Sequence, residues 1–358
     1  MAQEYIIIGG GIAGVSLAAQ LAPRGSVTLL EQEAHLAHHA SGRSAALYEP
    51  HYGLPPVVAL SLASGEAFRA HPNLLTPRGM MIVAGPGEET AFEADCAAMD
   101  LGEVSFDAAR ARVPVLNPET VTRVAVADHA WDIDTDLLIQ TYAREARLHG
   151  ARILTHAPVT AIRRSDTGWS VTTPLGEVEG KVLINAAGAW ADPVAVMAGA
   201  APLGITPLRR SMARIPAPGG HDISRWPMIF GAGEAWYCKP DAGALIVSPA
   251  EEDPCEAHDA WADDMVLAEG LARYEERVTE PVTRMIANWA GLRSFAPDRV
   301  PVIGFDTGEP AFFWLAGQGG YGFQTAPAAS QLAADLLTGA TPTLDAAVVA
   351  ALSPARFG

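Results

Sequence analysis

Three glycines spaced as Gly9-x-Gly11-x-x-Gly14 are the first residues in this chain whose types and spacing specify chemistry. Gly9 permits a tight turn, Gly11 lets the backbone approach a pyrophosphate, and Gly14 lets a helix pack closely on a strand. The helix that opens here presents free N–H groups and the positive end of its dipole to phosphate. Glu31 follows about 20 residues on, where its carboxylate can accept hydrogen bonds from ribose hydroxyls. An acid at that place disfavours a 2′-phosphate, so the pattern points to a dinucleotide other than NADP.

Two more segments carry the same signature of bare backbone at the end of a strand. Asn185-Ala186-Ala187-Gly188-Ala189-Trp190 follows the apolar run Val182–Ile184. Its small residues leave room for a ligand near the backbone, although an ordinary strand-to-helix turn reads the same way. Gly317-Gln318-Gly319-Gly320-Tyr321-Gly322-Phe323-Gln324-Thr325 follows Phe312–Ala316. Its glycines and the helix start behind them suit negative charge. A surface loop is the alternative, and flanking Trp314 and Phe323 argue for burial.

The elements that must hold these residues are partly visible. Tyr5–Ile8 is a buried strand, Val15–Ala22 a helix stopped by Pro23 and Gly25, and Val27–Leu30 a second strand. Together they form a β-α-β unit. Helices are expected over 59–70, 88–99, 136–149 and 326–338, and strands over 79–84, 152–155, 159–163, 169–173 and 312–316. Residues 205–290 are rich in Pro and Trp and carry short strands. The expected class is α/β: a Rossmann-like dinucleotide domain of the glutathione-reductase type beside an α+β domain built on a mixed sheet. The first is assembled from residues 1–78, 128–204 and 291–358, the second from 79–127 and 205–290.

Composition narrows the function. The chain has 358 residues, enough for roughly two domains. Its formal net charge of -17 repels nucleic acid and anionic lipid. Cys96, Cys238 and Cys255 are odd in number and widely spaced, which suits a reducing, cytoplasmic setting rather than a disulfide framework or a metal site. No signal-peptide pattern precedes Tyr5, and no apolar run reaches the roughly 20 residues that span a bilayer.

The three motifs, in this order, resemble the D-amino acid oxidase-like family of FAD-dependent oxidoreductases. Ala40-Ser41-Gly42-Arg43-Ser44-Ala45-Ala46 resembles that family's flavin-contacting loop. The likeness runs closest to D-arginine dehydrogenase and is carried also by Tyr52-Gly53, Arg209-Arg210-Ser211, Trp226-Pro227-Met228, Lys239–Gly243, Glu256–Asp259 and Trp289–Phe295. The resemblance implies non-covalent FAD, with His38, His39 and His51 as ordinary loop histidines. It extends the expected cofactor contacts to Ile12, Ala13, Gln32, Val159, Ala187, Gly188, Trp190, Arg293 and the run Gly319–Gln324.

It also implies a substrate site. Arg210 and Arg293 would hold a carboxylate, since a planar guanidinium matches one bidentately; a structural ion pair is the alternative for each. Tyr52 and Tyr237 would hydrogen-bond to that carboxylate or close the pocket. Gly320, with Gln324 nearby, would meet the amine, and Met228 and Phe230 would line the side-chain pocket. Two positions depart from the relative: Gly79 stands where it has a cation-binding acid, and Leu47 where it has a histidine. An uncharged, apolar or aromatic side chain is therefore expected, unless Glu49 turns inward from its loop.

The implied reaction is oxidation of a D-amino acid to the imino acid by hydride transfer to flavin N5, then hydrolysis to a 2-oxo acid and ammonia. Oxygen, a quinone or another acceptor would reoxidise the flavin. A secondary-amine or 2-hydroxy acid oxidase, and a non-catalytic FAD subunit of an electron-transfer complex, are the alternatives.

Overall fold

The computed structural model describes residues 3–358. Two large sheets organise it, with a small third sheet of Leu47–Tyr48, Trp131–Ile133 and Leu75–Pro77. In the first, Gln3–Ile8 runs parallel to Val27–Leu30 on one side and to Gly176–Asn185 on the other. Arg152–Leu154 extends the sheet beyond Val27–Leu30, and Phe312–Ala316 joins it alongside Leu183–Asn185. Tyr5–Ile8, Val27–Leu30, Leu183–Asn185 and Phe312–Ala316 are rich in β-branched, aromatic and leucine residues and wholly buried, as the centre of a parallel sheet covered on both faces must be. Helices Ile12–Leu21, Thr135–Leu148 and Gly322–Thr338 share one core cluster with the face that carries Ile7, Leu29 and Phe313.

The register brings the ends of the three glycine- or alanine-rich segments together. Ile8 pairs with Asn185, and Asn185 with Trp314, so each strand releases its chain at the same edge of the sheet. That edge is where ligands bind in open parallel sheets.

The second sheet runs Asp253–Pro254, Thr206–Pro216, Ala244–Ser248, Tyr237–Asp241, Met228–Gly231, Met80–Ala84, Arg123–Ala127 and Gly102–Val104, with Ala287–Phe295 antiparallel to Thr206–Pro216. Alternation sorts its side chains cleanly. Met81, Val83, Ile229, Cys238 and Val247 enter one core on one face, while Met80, Ile82, Met228, Phe230 and Tyr237 turn to the other. Pairing of Ala287–Phe295 is continuous across residues 290 and 291, so this strand stays in the second sheet through Phe295.

Two helix starts differ most from the sequence expectation. The second helix begins at Pro55 rather than 59, because Pro at the first helical position needs no N–H partner. The last long helix begins at Gly322 rather than 326, with Pro327 inside it, which moves Phe323 and Gln324 into its first turn. No helix among the described residues is long and apolar enough to cross a membrane.

Candidate active site

Ile8 gives way to Gly9 at φ +108°, a backbone that only glycine adopts without strain. A methyl on Gly9 would lie 2.3 Å from the Ala186 carbonyl oxygen, and one on Gly14 would lie 1.9 Å from the Gly9 carbonyl oxygen. The first and second motifs and the helix thus touch through bare backbone. Gly11 caps the helix without a side-chain bond of its own; Ser41 supplies one, its hydroxyl accepting from the Ile12 N–H at 3.0 Å. Glu31 is buried and accepts from the Gly10 N–H at 2.7 Å and the Glu33 N–H at 2.8 Å, one on each oxygen. Each oxygen keeps a second acceptor site for a ribose hydroxyl.

Around these atoms lies a cleft with two lobes. One is lined by Gly9, Gly11, Glu31, Gln32, Val159, Ala187, Gly188 and Trp190. The other is lined by Ile12, Ala13, Ser44, Ala45, Ala46, Gly319, Gly320, Gly322, Phe323 and Gln324, together with the residues expected to meet a substrate. Gly11, Ser41, Arg43, Gly188 and Leu292 line both, so the lobes are continuous. Glycine and alanine walls, a helix N-terminus and a buried acid fit an adenine dinucleotide in the first lobe. The passage into the second, walled largely by small residues such as Gly11, Ser41 and Gly188, fits the ring that such a cofactor carries.

The second lobe places its cations by strand register. Arg210 pairs with Gly291, and Leu208 with Arg293. Residues directly opposite share a face, and so do residues two apart, so Arg210 and Arg293 project from the same side of the sheet as diagonal neighbours. Tyr237 lies under Arg210, with the guanidinium carbon 5.8 Å from its ring centroid. Burial alone would lower the Arg293 pKa, but the Tyr52 and Tyr237 hydroxyls more than offset this and hold it above its ordinary value. The Tyr52 hydroxyl donates to Glu234 at 2.9 Å, and burial first, then the Glu234 charge, pushes its pKa up. Gln324 braces the same turn, its amide donating to the Tyr52 carbonyl at 3.1 Å and its carbonyl accepting from the Glu49 N–H at 3.4 Å.

Leu47, Glu49, Met228, Phe230, Tyr52, Tyr237, Arg210, Arg293, Gly320 and Gln324 all line this lobe. Four expected residues stand behind its surface. Gly14 packs the helix on Gly9, Gly42 faces the Ala37 carbonyl, and the Tyr321 ring lies tilted against Tyr52 and edge-on to Phe295. Gly79, at φ +68°, turns the missing side chain toward the Ala127 carbonyl and Asp128, away from the lobe, and its neighbour Met80 forms the wall instead. Arg43 reaches across to the Ala260 and Ala290 carbonyls at 2.9 and 3.0 Å and to Asp259, which ties the loop to the second sheet.

Glu234 and Glu252 escaped the sequence reading. Glu234 lines the lobe from the turn Gly231–Trp236 and has positive φ, and no periodic pattern marks it. Glu252 bridges Arg299 at 2.8 Å, Arg210 at 3.3 Å and Arg293 at 3.4 Å. Burial would raise its pKa, yet the three guanidiniums hold it below the usual carboxylate range. The acidic run Glu251-Glu252-Asp253 was its only trace in the sequence.

A dinucleotide cleft that opens onto buried Arg210 and half-buried Arg293 fits one class of protein, a flavin oxidoreductase. Comparison with known proteins agrees. The profile of the DAO family, described as FAD dependent oxidoreductase, matches residues 4–336, and the chain belongs to that family. N-methyl-L-tryptophan oxidase of Salmonella arizonae is 26% identical over 377 residues, covering 96% of this chain and 97% of that protein. Mitochondrial dimethylglycine dehydrogenase of Rattus norvegicus is 25% identical over 388 residues, covering 99% of this chain and 45% of that protein. Among solved structures, L-proline dehydrogenase from P. horikoshii superimposes with a TM-score of 0.85 at 22% identity, covering 99% of this chain and 98% of that one. Glycine oxidase from Geobacillus kaustophilus gives 0.83 at 21%, covering 99% of both chains. At these identities the structural likeness is one of fold.

Proposed function

We propose that this FAD-dependent oxidoreductase oxidises the carbon–nitrogen bond of a small amino acid, in the first instance a D-amino acid, to an imino acid that water converts to a 2-oxo acid and ammonia. The observation that carries the reading is the convergence of Arg210, Arg293, Tyr52 and Tyr237 on the lobe next to the dinucleotide strip. Bound FAD, held without a covalent link, supplies the acceptor for the two electrons of that bond. The chain's own residues do the rest. Arg210 and Arg293 fix the substrate carboxylate bidentately, which orients the α-carbon. Tyr52 and Tyr237 complete the anion site, and the Gly320 backbone and Gln324 face the amine. The D configuration rests on the motif resemblance described above. The cofactor domain of this reading comprises residues 1–78, 128–204 and 291–358, less the strand end Gly291–Phe295 that pairs in the second sheet, and the electron acceptor is a small molecule or protein that reaches the reduced cofactor.

A second reading, oxidation of an N-substituted amino acid, draws on the relatives named for N-methyl-L-tryptophan and dimethylglycine. Anaerobic mixing of the FAD-loaded protein with D-amino acids, N-methyl amino acids and proline separates the two. Bleaching by primary D-amino acids supports the first reading, and bleaching by N-substituted ones alone replaces it with the second. Persistent yellow colour with every amine refutes both.

A further inference from the structure

Residues 256–262 are unlike the rest of the wall around the dinucleotide lobe. On one side the Cys255 N–H donates to the Pro207 carbonyl at 2.9 Å. On the other, Asp263 caps the helix Asp264–Glu275 by accepting from the Met265 and Val266 N–H groups. Between those anchors no backbone–backbone hydrogen bond reaches the segment, among the described residues. His258 and Ala260 nevertheless line the lobe, and Ala260 is buried against Ala189, Ala290 and Leu292. A segment with so few backbone bonds and so small an apolar footing opens readily.

Arg43 ties down its middle. This residue ends the turn Ala40–Arg43, where the Trp289 indole N–H donates to its carbonyl at 3.1 Å. Its side chain lines both lobes. Nη1 donates to the Ala260 carbonyl on the segment at 2.9 Å and to the Ala290 carbonyl on the strand Ala287–Phe295 at 3.0 Å. Nη2 donates to Asp259 on the segment. His38 and His39 approach the same carboxylate, each at 3.7 Å. The motif resemblance makes Arg43 part of a flavin-contacting loop, but the geometry gives the guanidinium another task. Three of its five N–H groups hold the segment and the strand, and Asp259 matches its charge.

We propose that residues 256–262 form a strap over the dinucleotide lobe, that Arg43 and Asp259 are its latch, and that FAD enters and leaves when the strap opens. A latch has a kinetic signature that a cofactor contact lacks. Where FAD must pass an opening, uptake and release both scale with the open fraction, so a weaker latch quickens both. Loss of an ordinary contact quickens release alone. A third role predicts the opposite sign: if Asp259 merely held Arg43 back from phosphate, Asp259→Asn would free that charge and slow release.

The test follows flavin fluorescence in the full chain. FAD uptake is measured on protein stripped of flavin, and release from loaded protein into an excess of a competing apoflavoprotein. Arg43→Met removes three charge-assisted hydrogen bonds and should raise both rates roughly tenfold or more. Asp259 is largely exposed, so Asp259→Asn should raise both by about two- to fivefold. Faster release with unchanged uptake overturns the proposal and returns Arg43 to the cofactor contacts. Release from Asp259→Asn at or below the wild-type rate also overturns it, and this readout stands even where Arg43→Met does not fold. Flavin that stays with acid-precipitated wild-type protein overturns it as well, since a covalently held group does not exchange.

Discussion

Gly320→Ala tests the arginine site without removing a charge. A methyl at Gly320 would lie 1.8 Å from the Arg293 Nη2, 2.5 Å from its Cζ and 2.6 Å from its Nε. Ordinary contact begins at 3.4 Å, so the guanidinium must retreat by 3.4 − 1.8 = 1.6 Å. That retreat takes it from the position in which the Tyr52 and Tyr237 hydroxyls act on it. A shift of this size breaks the bidentate geometry, and charge-assisted bonds contribute about 1.5–3 kcal/mol each. Loss of about 3 kcal/mol corresponds to a roughly 100-fold fall in kcat/KM, carried mainly by KM because the carboxylate is held alike in ground and transition states. The assay is steady-state kinetics with the best amino acid substrate, normalised to flavin content by visible absorbance. Unchanged KM in a fully flavinated Gly320→Ala would refute the placement of Arg293 on the carboxylate.

Three further outcomes follow from particular contacts. Gly14→Ala places a methyl 1.9 Å from the Gly9 carbonyl, a backbone atom that cannot step aside, so it should lower Tm by the equivalent of about 1–3 kcal/mol and yield flavin-poor protein on purification. Glu252→Gln removes an anion that sits against Arg210 and Arg293, and since such a part-exposed pair contributes about 0.2–1 kcal/mol, KM for the amino acid should fall by up to roughly fivefold with flavin content unchanged. Burial pushes the Glu49 carboxyl from 4.5 up to about 7, against a partial counter-effect of the His51 N–H and His129. The folded chain then holds a proton that the unfolded chain has released, so this contribution to stability is full below pH 4.5 and is lost as pH rises to about 7. Glu49→Gln should flatten the slope of Tm against pH in that window, by the equivalent of at most about 3 kcal/mol.

The cofactor half was legible because its signal is local. Gly9, Gly11, Gly14 and Glu31 fall within one β-α-β unit: a positive φ demands glycine at Gly9, the Gly9 carbonyl excludes a side chain at Gly14, and Glu31 accepts from the Gly10 N–H. The substrate half depends on register between distant strands, which no spacing in the chain reveals. That Arg210 and Arg293 share a face follows only from the pairing of Leu208 with Arg293. A one-residue change of position reverses the face on which a strand residue lies, which is why Met80, not Gly79, forms the wall. Glu49 looked like a loop acid by type, because burial of a carboxylate is set by what packs over it rather than by its neighbours in sequence. The helix expected from 326 starts instead at Gly322, and its first turn carries Gln324 into the wall of the lobe.

The central claim is that a carboxylate bound by Arg210 and Arg293 sits beside the flavin. Titrating the FAD-loaded protein with propionate, a carboxylate that has no amine to oxidise, while recording the visible flavin spectrum tests it most directly. A saturable spectral shift in the wild type that disappears in Arg210→Met and Arg293→Met is the predicted result. Protein that stays colourless in the presence of FAD, or a shift that persists unaltered in both variants, would contradict the account.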